Sequence, residues 1–313
     1  MKDLTDIGKI FVVTGEEYCD ITRDQLPELP AENIICEPMG KNTTACIGLA
    51  AQIVKKRFGD AIMIAAPSDH VIKDVAAFSA DLGKCCEIAE KRGTVVTVGI
   101  TPTRPETGFG YIKLCKDRPV ESFEKAWEME RFAEKPEMKA ARRYVASGEY
   151  LWNAGMFVFP ISYMLECIKR FHPHNYDCLE AIGESIGKKN ERLVLRQMFE
   201  KMEPVSIDCS VMEHIEGSVT VQASFDWNDV GTWAAIPDIQ RPDSNGNYIT
   251  GEAVALESSG NIVEVSKNKM VALLGVKNMV VVESGNAILV CHKDYAQRIK
   301  EVTKGISGRS DFL

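Results

Sequence analysis

Two aspartates that lie far apart in the sequence occupy segments of similar design. Asp229 lies in WNDVGTW (residues 227–233), and Asp69 lies in AIMIAAPSDHVI (residues 61–72). Each aspartate is predicted to follow the end of a strand and to precede a helix. In open α/β sheets ligands bind beyond the carboxyl ends of the strands, so the two carboxylates could meet across one crevice. Two carboxylates suit Mg²⁺, which is commonly shared between protein and substrate phosphates, and the pair therefore predicts phosphoryl-type chemistry on a nucleotide.

Each aspartate also has a simpler interpretation. Asp69 could be a plain helix N-cap, and the tryptophans that flank Asp229 could belong to the core. His70 could act as a base. Phosphoryl transfer by positioning needs no base, however, so a structural role beside the metal is favoured.

A second group of polar residues is suited to binding a sugar phosphate. Lys135 could neutralise a phosphate, or it could form a solvated surface pair with Glu134. Glu134 and Asn153 can accept from and donate to sugar hydroxyls. Asn153 interrupts the apolar run of residues 150–160, where a buried amide must find hydrogen-bond partners.

Glycines in the irregular segment TPTRPETGFGYIKL (residues 101–114) are also candidates. Gly108 and Gly110 could be turn glycines, or they could expose backbone amides to a sugar. Irregular loops of this type are often functional, because backbone without side chains can approach a ligand closely.

The elements that would position these residues alternate along the first part of the chain. Strands are predicted at residues 9–14, 33–38, 61–66 and 94–100, with helices at 16–26, 45–58 and 76–91. Asn42 or Thr43 is predicted to cap the second of these helices. Repeated strand and helix patterns predict crossover units and a mainly parallel α/β sheet.

The pattern changes near residue 241. Residues 245–292 consist of short predicted strands divided by turn pairs such as Asn245-Gly246 and Gly285-Asn286. This pattern predicts a separate β-rich module, a small β-solenoid with a closing helix. The expected domains are therefore residues 1–240 and 241–313.

Composition limits the classes of function. The 313 residues contain 37 Lys and Arg against 45 Asp and Glu, and this net charge of -8 argues against nucleic-acid binding. No apolar run approaches the length of a membrane span, and the N-terminus lacks a signal-peptide pattern. The ten cysteines are scattered and form no CxxC motif, so we expect no disulfides, no zinc site and a reducing cytoplasmic location.

Seven motifs, in this order, resemble the mannose-1-phosphate guanylyltransferase family of sugar nucleotidyltransferases. They are EPMGKNT (residues 37–43), PSDHVI (67–72), TRPETGFGYI (103–112), EKP (134–136), WNAGMF (152–157), SIDCSVME (206–213) and WNDVGTW (227–233). The resemblance implies a Rossmann-like nucleotidyltransferase sheet with a small C-terminal β-helix-like domain. It also implies an enzyme that converts GTP and mannose 1-phosphate to GDP-mannose and pyrophosphate.

Roles follow from the resemblance motif by motif. It implies that Asp69 and Asp229 hold Mg²⁺ and that Lys135 faces the sugar phosphate, which makes these three the catalytic group. The residues implied to bind the substrates are Glu37, Gly40, Asn42 and Thr43 around guanine, and Gly108, Glu134 and Asn153 around mannose. Because the β-helical domain of such enzymes is often used for dimer contacts, a homodimer is one implied arrangement.

The sequence departs from the family at one motif. The family opens with a strand and a loop of the form GGxGTRxxPxS that holds the nucleotide phosphates, and this sequence contains no GGxGTR. We therefore expect at most weak transferase activity from the polypeptide as written. Three explanations stay open: a truncated sequence, a loop supplied by another chain, or a homologue that binds without turnover. The alternatives to the main function are another sugar 1-phosphate or nucleotide, and a non-catalytic regulatory subunit.

Overall fold

The structure is a computed structural model that describes residues 1–305, apart from the side chains of residues 234, 238, 297 and 300. The chain forms two compact units. The first contains Met1–Pro67 and Asp74–Asp226, and the second contains Ser68–Lys73 together with the chain from Trp227 onward. The domain boundary at residues 240 and 241 stays a prediction, and residues 306–313 of the predicted second domain lie outside the described residues.

The first unit follows the predicted alternation of strands and helices. Its strands are β1 (Val12–Gly15), β2 (Ile34–Glu37), β3 (Ile62–Ala65), β4 (Val96–Ile100), β5 (Tyr111–Pro119), β6 (Ala126–Ala133), β7 (Tyr150–Pro160) and β8 (Val219–Gln222). Its helices are α1 (Cys19–Gln25), α2 (Asn42–Phe58), α3 (Val75–Arg92), α4 (Met138–Ser147), α5 (Ile161–Phe171), α6 (Pro173–Ser185) and α7 (Glu191–Lys201). A single π-helical turn, Asp208–Met212, precedes β8.

The main sheet has six strands in the order β3-β7-β4-β8-β6-β5, and β1 and β2 form a separate parallel pair. The predicted fold class, α/β with a mixed sheet, is confirmed. Four of the six strands run in one direction, but β4 and β8 make the only parallel pairing among them. The parallel ladders expected from the alternation are fewer because β7 inserts antiparallel between β3 and β4.

The core of this unit lies where α2, α5 and α6 pack beside the sheet. Leu49, Ile168 and Leu179 are buried there with Phe157 and Phe159 of β7. Fully burying a side chain of this size stabilises a fold by about 1.5–3 kcal/mol. This packing fixes β7, which carries Asn153 at its centre.

Helix α2 begins differently from the prediction. Its N-cap residue is Lys41, and no side chain caps the helix, so the predicted cap at Asn42 or Thr43 is wrong. The segment before α2 is instead held from the side, because Lys41 Nζ donates to the carbonyl oxygens of Glu200 (3.2 Å) and Met202 (2.8 Å).

The expectation of unpaired cysteines is wrong for one pair. A disulfide joins Cys19 of α1 to Cys36 of β2, and their Cα atoms are 6.1 Å apart, within the range normal for this bond. The other eight cysteines are free.

The second unit is β-rich, as predicted. Its elements are α8 (Ile236–Ile239), β9 (Tyr248–Thr250), β10 (Glu252–Leu256), β11 (Ile262–Glu264), β12 (Met270–Leu274), β13 (Met279–Ser284), β14 (Ala287–His292) and α9 (Ile299–Gly305). Strands β9, β11 and β13 pair in parallel, β14 closes that sheet antiparallel to β13, and β10 pairs in parallel with β12.

Two stacked asparagines explain why the turns of the second unit repeat. Asn247 Oδ1 accepts from Asn261 Nδ2 (2.9 Å), and Asn261 Oδ1 accepts from the backbone nitrogen of Met279 (2.9 Å). Buried amides in successive turns therefore satisfy one another, as expected of a β-helix-like stack.

Among the described residues, no helix combines the length and the apolar character needed to cross a membrane.

Candidate functional site

Three of the predicted sugar-phosphate residues form one cluster in the first unit. Lys135 Nζ lies 2.9 Å from Glu134 Oε1, just after β6 ends. The Glu134 side chain is 17% exposed and the Lys135 side chain 63%, so the ammonium faces solvent. The hydrogen bond to Glu134 raises the pKa of Lys135, which therefore stays charged. Its φ of 42° is unusual for a residue with a side chain, and such strained backbone concentrates at functional sites.

Asn153 reaches this cluster from the middle of β7. Its Nδ2 donates to Asp208 Oδ1 (2.8 Å), and its Oδ1 accepts from the backbone nitrogen of Gly155 (3.1 Å) and from Thr97 Oγ1 (3.4 Å). The partners required by a half-buried amide are thus present. One Nδ2 hydrogen has no partner among the described residues.

Of the two candidate glycines, Gly110 lies against the cluster. A Cβ at Gly110 would be 2.7 Å from Glu134 Oε2 and 3.3 Å from Asn153 Cβ, so a side chain there would have to displace the Glu134 carboxylate. Gly108 lies near Glu106 instead, and its backbone nitrogen donates to Glu106 Oε1 (3.0 Å).

Glu37 is the most distinctive of the predicted guanine-pocket residues. It ends β2, and its Oε1 is buried without a hydrogen-bond partner among the described residues. Burial raises the pKa of Glu37 to about 7. A buried carboxylate oxygen without a donor is costly, and a ligand that supplies donors would remove that cost.

The other predicted guanine-pocket residues lie where β2 passes into α2. Gly40 has open space where a side chain would be. Asn42 has a φ of 66°, and its Oδ1 accepts from the backbone nitrogen of Thr43 (2.8 Å). Thr43 Oγ1 in turn accepts from the backbone nitrogen of Ile207 (2.8 Å), so this hydroxyl anchors the segment that leads to Asp208.

The two aspartates of the predicted metal pair lie in the second unit, on segments that pair with each other. Val71 and Asn228 form an antiparallel bridge, with hydrogen bonds of 2.8 and 3.1 Å between their backbones. The charges of both Asp69 and Asp229 act to raise the pKa of His70. Burial has the larger effect, and the net result is a lowered pKa for His70.

His70 is oriented by a tryptophan. Trp227 Nε1 lies 3.0 Å from His70 Nδ1, which must accept this hydrogen bond, so the neutral ring carries its proton on Nε2. That Nε2 lies 3.9 Å from Asp69 Oδ1. The ring therefore lies beside the Asp69 carboxylate, beyond hydrogen-bond distance.

The structure excludes the simpler interpretation of Asp69. Asp74, not Asp69, is the N-cap of α3, and its side chain accepts from the backbone nitrogen of Ala77 (3.0 Å). The Asp69 side chain is 83% exposed, which leaves it accessible to a ligand.

The segment that carries Asp229 differs from the predicted strand end. Asn228 belongs to an isolated bridge, and its Oδ1 accepts from the backbone nitrogen of Val230 (2.7 Å). Val230 has a φ of 48°, which is a rare conformation for a β-branched residue. A tight turn therefore presents Asp229, because the bridge is too short to form a strand.

The side chains of Asp69 and Asp229 offer carboxylate oxygens, a donor type that divalent cations bind. No three His, Cys, Asp or Glu side chains form a metal-binding group within the described part of the chain. Two carboxylates without further protein ligands suit Mg²⁺, which usually keeps several waters and binds one or two carboxylates plus substrate phosphates.

Sequence reasoning assigned no role to Asp208, although the motif SIDCSVME contains it. Asp208 Oδ1 accepts from Asn153 Nδ2, and the charges of Glu134 and Lys135 both affect its pKa. The motif itself marked the residue, but only the fold shows that it contacts Asn153.

Comparison with known proteins identifies related sequences. Residues 2–246 match the family model described as nucleotidyl transferase, and residues 251–306 match the model described as MannoseP isomerase/GMP-like beta-helix domain. The xanthan biosynthesis protein XanB of Xanthomonas campestris pv. campestris (strain B100) is 38% identical over 96% of this chain and 63% of that protein. A mannose-1-phosphate guanylyltransferase of Escherichia coli (strain K12) is 35% identical over 94% of this chain and 62% of that protein. The chain thus spans less than two thirds of the length of these curated relatives.

Two solved structures are also similar. A protein of Thermus thermophilus, described as a mannose-1-phosphate geranyltransferase, has a TM-score of 0.82 and 31% identity and covers 97% of this chain and 86% of its own. A Helicobacter pylori protein described as a mannose-6-phosphate isomerase has a TM-score of 0.59 and 26% identity over 71% of this chain and 84% of its own.

Proposed function

Because the chain belongs to the nucleotidyl transferase family, we propose that it transfers a guanylyl group from GTP to mannose 1-phosphate, giving GDP-mannose and pyrophosphate. The observation that carries this proposal is the single cluster formed by the Lys135 ammonium, the Glu134 carboxylate and the oriented Asn153 amide. The ammonium can pair with a phosphate, and the carboxylate and the amide can hydrogen-bond to sugar hydroxyls. The names of the relatives favour mannose and guanine over other sugars and bases.

Lys135, Glu134 and Asn153 hold the sugar phosphate in this proposal. Lys135 leaves its ion pair with Glu134 and pairs with the phosphate, and Glu134 is then free to accept from sugar hydroxyls. Asn153 donates its remaining Nδ2 hydrogen to another hydroxyl. Gly108 lies in the irregular segment of residues 101–114. Its role in this proposal is to keep the backbone close to the mannose ring.

Glu37 selects guanine in this proposal. The N1–H and N2–H groups of guanine are adjacent donors that suit the two oxygens of one carboxylate, and adenine lacks this pair. The buried Glu37 Oε1 would gain its missing donor, whereas a base without one would leave it unpaired. Gly40, Asn42 and Thr43 complete the segment that lies against the base.

Asp69 and Asp229 hold Mg²⁺ in this proposal. The bound metal supplies positive charge that offsets the repulsion between anionic phosphates. The carboxylates of Asp69 and Asp229 act only as acceptors, and His70 and Trp227 keep the Asp69 segment in place.

The reaction asks the protein mainly for alignment and charge. A phosphate oxygen of mannose 1-phosphate forms a bond to the α-phosphorus of GTP, and the bond from that phosphorus to the β-phosphate bridge breaks, so pyrophosphate leaves. Lys135 offsets the charge of the attacking phosphate, and holding both reactants in line supplies much of the remaining rate enhancement.

The test is an assay of pyrophosphate release with product identification by mass, over a panel of sugar 1-phosphates and nucleoside triphosphates with Mg²⁺. GDP-mannose is the expected product, formed at a low rate because the sequence contains no GGxGTR loop to hold the nucleotide phosphates. Asp229→Asn should lower turnover by about 100-fold or more, because a lost electrostatic contact to the reacting phosphates is of that order. The exposed Glu184→Gln is the matched control and should leave turnover unchanged.

A different nucleotide sugar as the main product would favour the alternative substrate. Nucleotide-sugar binding by calorimetry without any product would favour the non-catalytic alternative.

A homodimer and a cytoplasmic location are further parts of this proposal. The second unit exposes apolar side chains on β10 and β12, which suits contact with a second copy. GTP and sugar phosphates are cytoplasmic metabolites, which supports the location.

A further inference from the structure

The partly buried carboxylate of Asp208 adjoins the sugar-phosphate cluster and has no role in the function proposed above. Asp208 begins the π-helical turn Asp208–Met212, and single π-helical turns are rare features that often occur at functional sites. Burial raises the pKa of Asp208 to about 6, and the nearby charge of Glu134 adds to the effect. A carboxylate in such an unfavourable environment is expected to have a role.

The role concerns the Asn153 amide, to which Asp208 is hydrogen-bonded. The amide oxygen accepts from the backbone nitrogen of Gly155, and its nitrogen donates to Asp208. Thr97 Oγ1 shares its one hydrogen between the Asn153 oxygen (3.4 Å) and the closer carbonyl oxygen of Met156 (3.2 Å). Only one of the two flipped orientations of the amide satisfies all these partners, because a carboxylate accepts and a backbone N–H donates. The second Nδ2 hydrogen then has a fixed direction.

The chain is anchored on both sides of Asp208, at Ile207 and at Ser210. The backbone nitrogen of Ile207 donates to Thr43 Oγ1 (2.8 Å), and Ser210 Oγ lies 2.8 Å from Thr44 Oγ1. The turn is thereby tied to the start of α2. The anchored turn therefore holds Asp208 in place beside the Asn153 amide.

Asp208 also interacts electrostatically with the charged residues of the cluster. Glu134 and Lys135 both act on it, and Glu213 Oε1 lies 3.4 Å from the backbone nitrogen of Glu134. The charge of Asp208 in turn helps to raise the pKa of Lys135.

We infer that Asp208 is a positioning residue for the sugar subsite, which fixes the donor direction of the Asn153 amide. This inference rests on the proposed function and deepens it. It assigns sugar recognition to a residue that touches neither the sugar nor the nucleotide.

The first test replaces Asp208 with Asn, which keeps the shape and removes the charge. Asp208→Asn should raise the KM for mannose 1-phosphate by about 10-fold, a factor that corresponds to one charged hydrogen bond, and should leave the KM for GTP within about twofold. Asp81→Asn is the control, because Asp81 is a buried aspartate of the first unit whose carboxylate also accepts hydrogen bonds, from Ser224. A merely structural role for Asp208 predicts equal changes in both KM values, and that result or unchanged kinetics would overturn the inference.

The second test does not depend on activity. In NMR spectra of the unliganded wild-type chain, the Asn153 side-chain amide, assigned by its loss in Asn153→Ala, should show one proton that exchanges slowly with water. A freely exchanging amide would contradict the inference. If the amide is fixed but does not respond to mannose 1-phosphate, the proposed substrate is wrong and the positioning role of Asp208 stands.

Discussion

At the scale of single residues, Glu37 shows how a buried group without a hydrogen-bond partner can contribute to selectivity between bases. Its carboxyl is partly buried at the end of β2, and burial alone raises its pKa to about 7. The protein tolerates this cost in the absence of a ligand, and a guanine base would offset it. A residue that lowers the stability of the free chain is thus expected to improve discrimination between bases.

The stability cost of Glu37 has a definite dependence on pH. The folded chain keeps the Glu37 proton up to about pH 7, whereas the ordinary value is 4.5, so between these values the folded state binds more protons than the unfolded state. Stability therefore falls as the pH rises through this window. Glu37→Gln removes the effect and should stabilise the chain at pH 8.5 by about 1–2 kcal/mol, a range reduced from the full shift because the group is partly exposed.

The measurement for Glu37→Gln is thermal unfolding at pH 8.5 and pH 4. The gain in Tm should be present at the higher pH and absent at the lower one. Glu184→Gln, at an exposed position, should change Tm at neither pH. A gain for Glu37→Gln that is larger at pH 4 would show that burial does not govern this carboxyl.

Gly110 is a second residue at which a small change should have a local effect. A Cβ there would lie 2.7 Å from Glu134 Oε2 and 3.1 Å from Phe132 Cζ, so Gly110→Ala must displace the Glu134 carboxylate. We expect the KM for the sugar phosphate to rise by about 10-fold or more, because a shift of about 1 Å in a binding group is costly. Gly83→Ala is the control, since nothing lies within 4 Å of a Cβ at that helical glycine. Equal kinetics for the two variants would remove Glu134 from the sugar subsite.

At the scale of elements, the start of α2 and the π-helical turn behave as one assembly. Thr44 is fully buried and Ser210 nearly so, and their hydroxyl oxygens are 2.8 Å apart. The backbone nitrogen of Thr44 also donates to the carbonyl oxygen of Val205 (3.2 Å). These contacts join the predicted guanine segment to the turn that carries Asp208.

A double-mutant cycle tests this connection. Thr44→Val leaves the Ser210 hydroxyl buried without a partner and should cost about 1–3 kcal/mol. Thr44→Val combined with Ser210→Ala removes both polar groups, so the double variant should be more stable than the sum of the single changes predicts, by about 1 kcal/mol.

Hydrogen exchange of the α2 amides measures the unfolding free energy of the part of the chain that holds this pair. Thr22→Val, which removes a hydroxyl bound to a carbonyl within exposed helix α1, is the control and should have little effect. Strict additivity of Thr44→Val and Ser210→Ala would show that their contact does not couple the two elements.

At the scale of the whole molecule, the second unit exposes an apolar face. Alternate residues of β10 and β12 point outward, and Leu256 (59% exposed) is in register with Leu274 (72% exposed). Val254 and Met270 are exposed on the same two strands. Contiguous apolar surface of this kind commonly marks an interface.

Leu256→Glu together with Leu274→Glu should convert the proposed homodimer to a monomer, because two buried carboxylates without partners are costly in an apolar contact. Light scattering coupled to size-exclusion chromatography measures the mass. Val290→Glu is a control with the same exposure as Leu256, 59%, on β14 of the other sheet, and should leave the dimer intact. A monomeric wild-type chain, or dissociation by Val290→Glu alone, would contradict the assignment of the face.

The sequence by itself determined the class of fold and the family of the chain. The alternation of strands and helices and the turn-rich C-terminal segment reflect local propensities and periodic burial, which neighbouring residues encode. Asp69 and Asp229 were paired by their similar flanking segments, and the bridge between Val71 and Asn228 agrees with that pairing. Motifs marked Glu134, Lys135 and Asn153 because their residue types suit a sugar phosphate.

Only the tertiary structure decided which groups touch. Asp208 contacts Asn153 across 55 positions of sequence, and Thr43 contacts Ile207 across 164, and no local pattern encodes such contacts. The same reason explains the errors: Lys41 is fixed by carbonyls of a distant segment, Cys19 meets Cys36 because α1 packs beside β2, and β7 inserts antiparallel into the sheet. Hydrogen bonding and burial of a side chain depend on what the whole chain brings to it, and that is settled by packing.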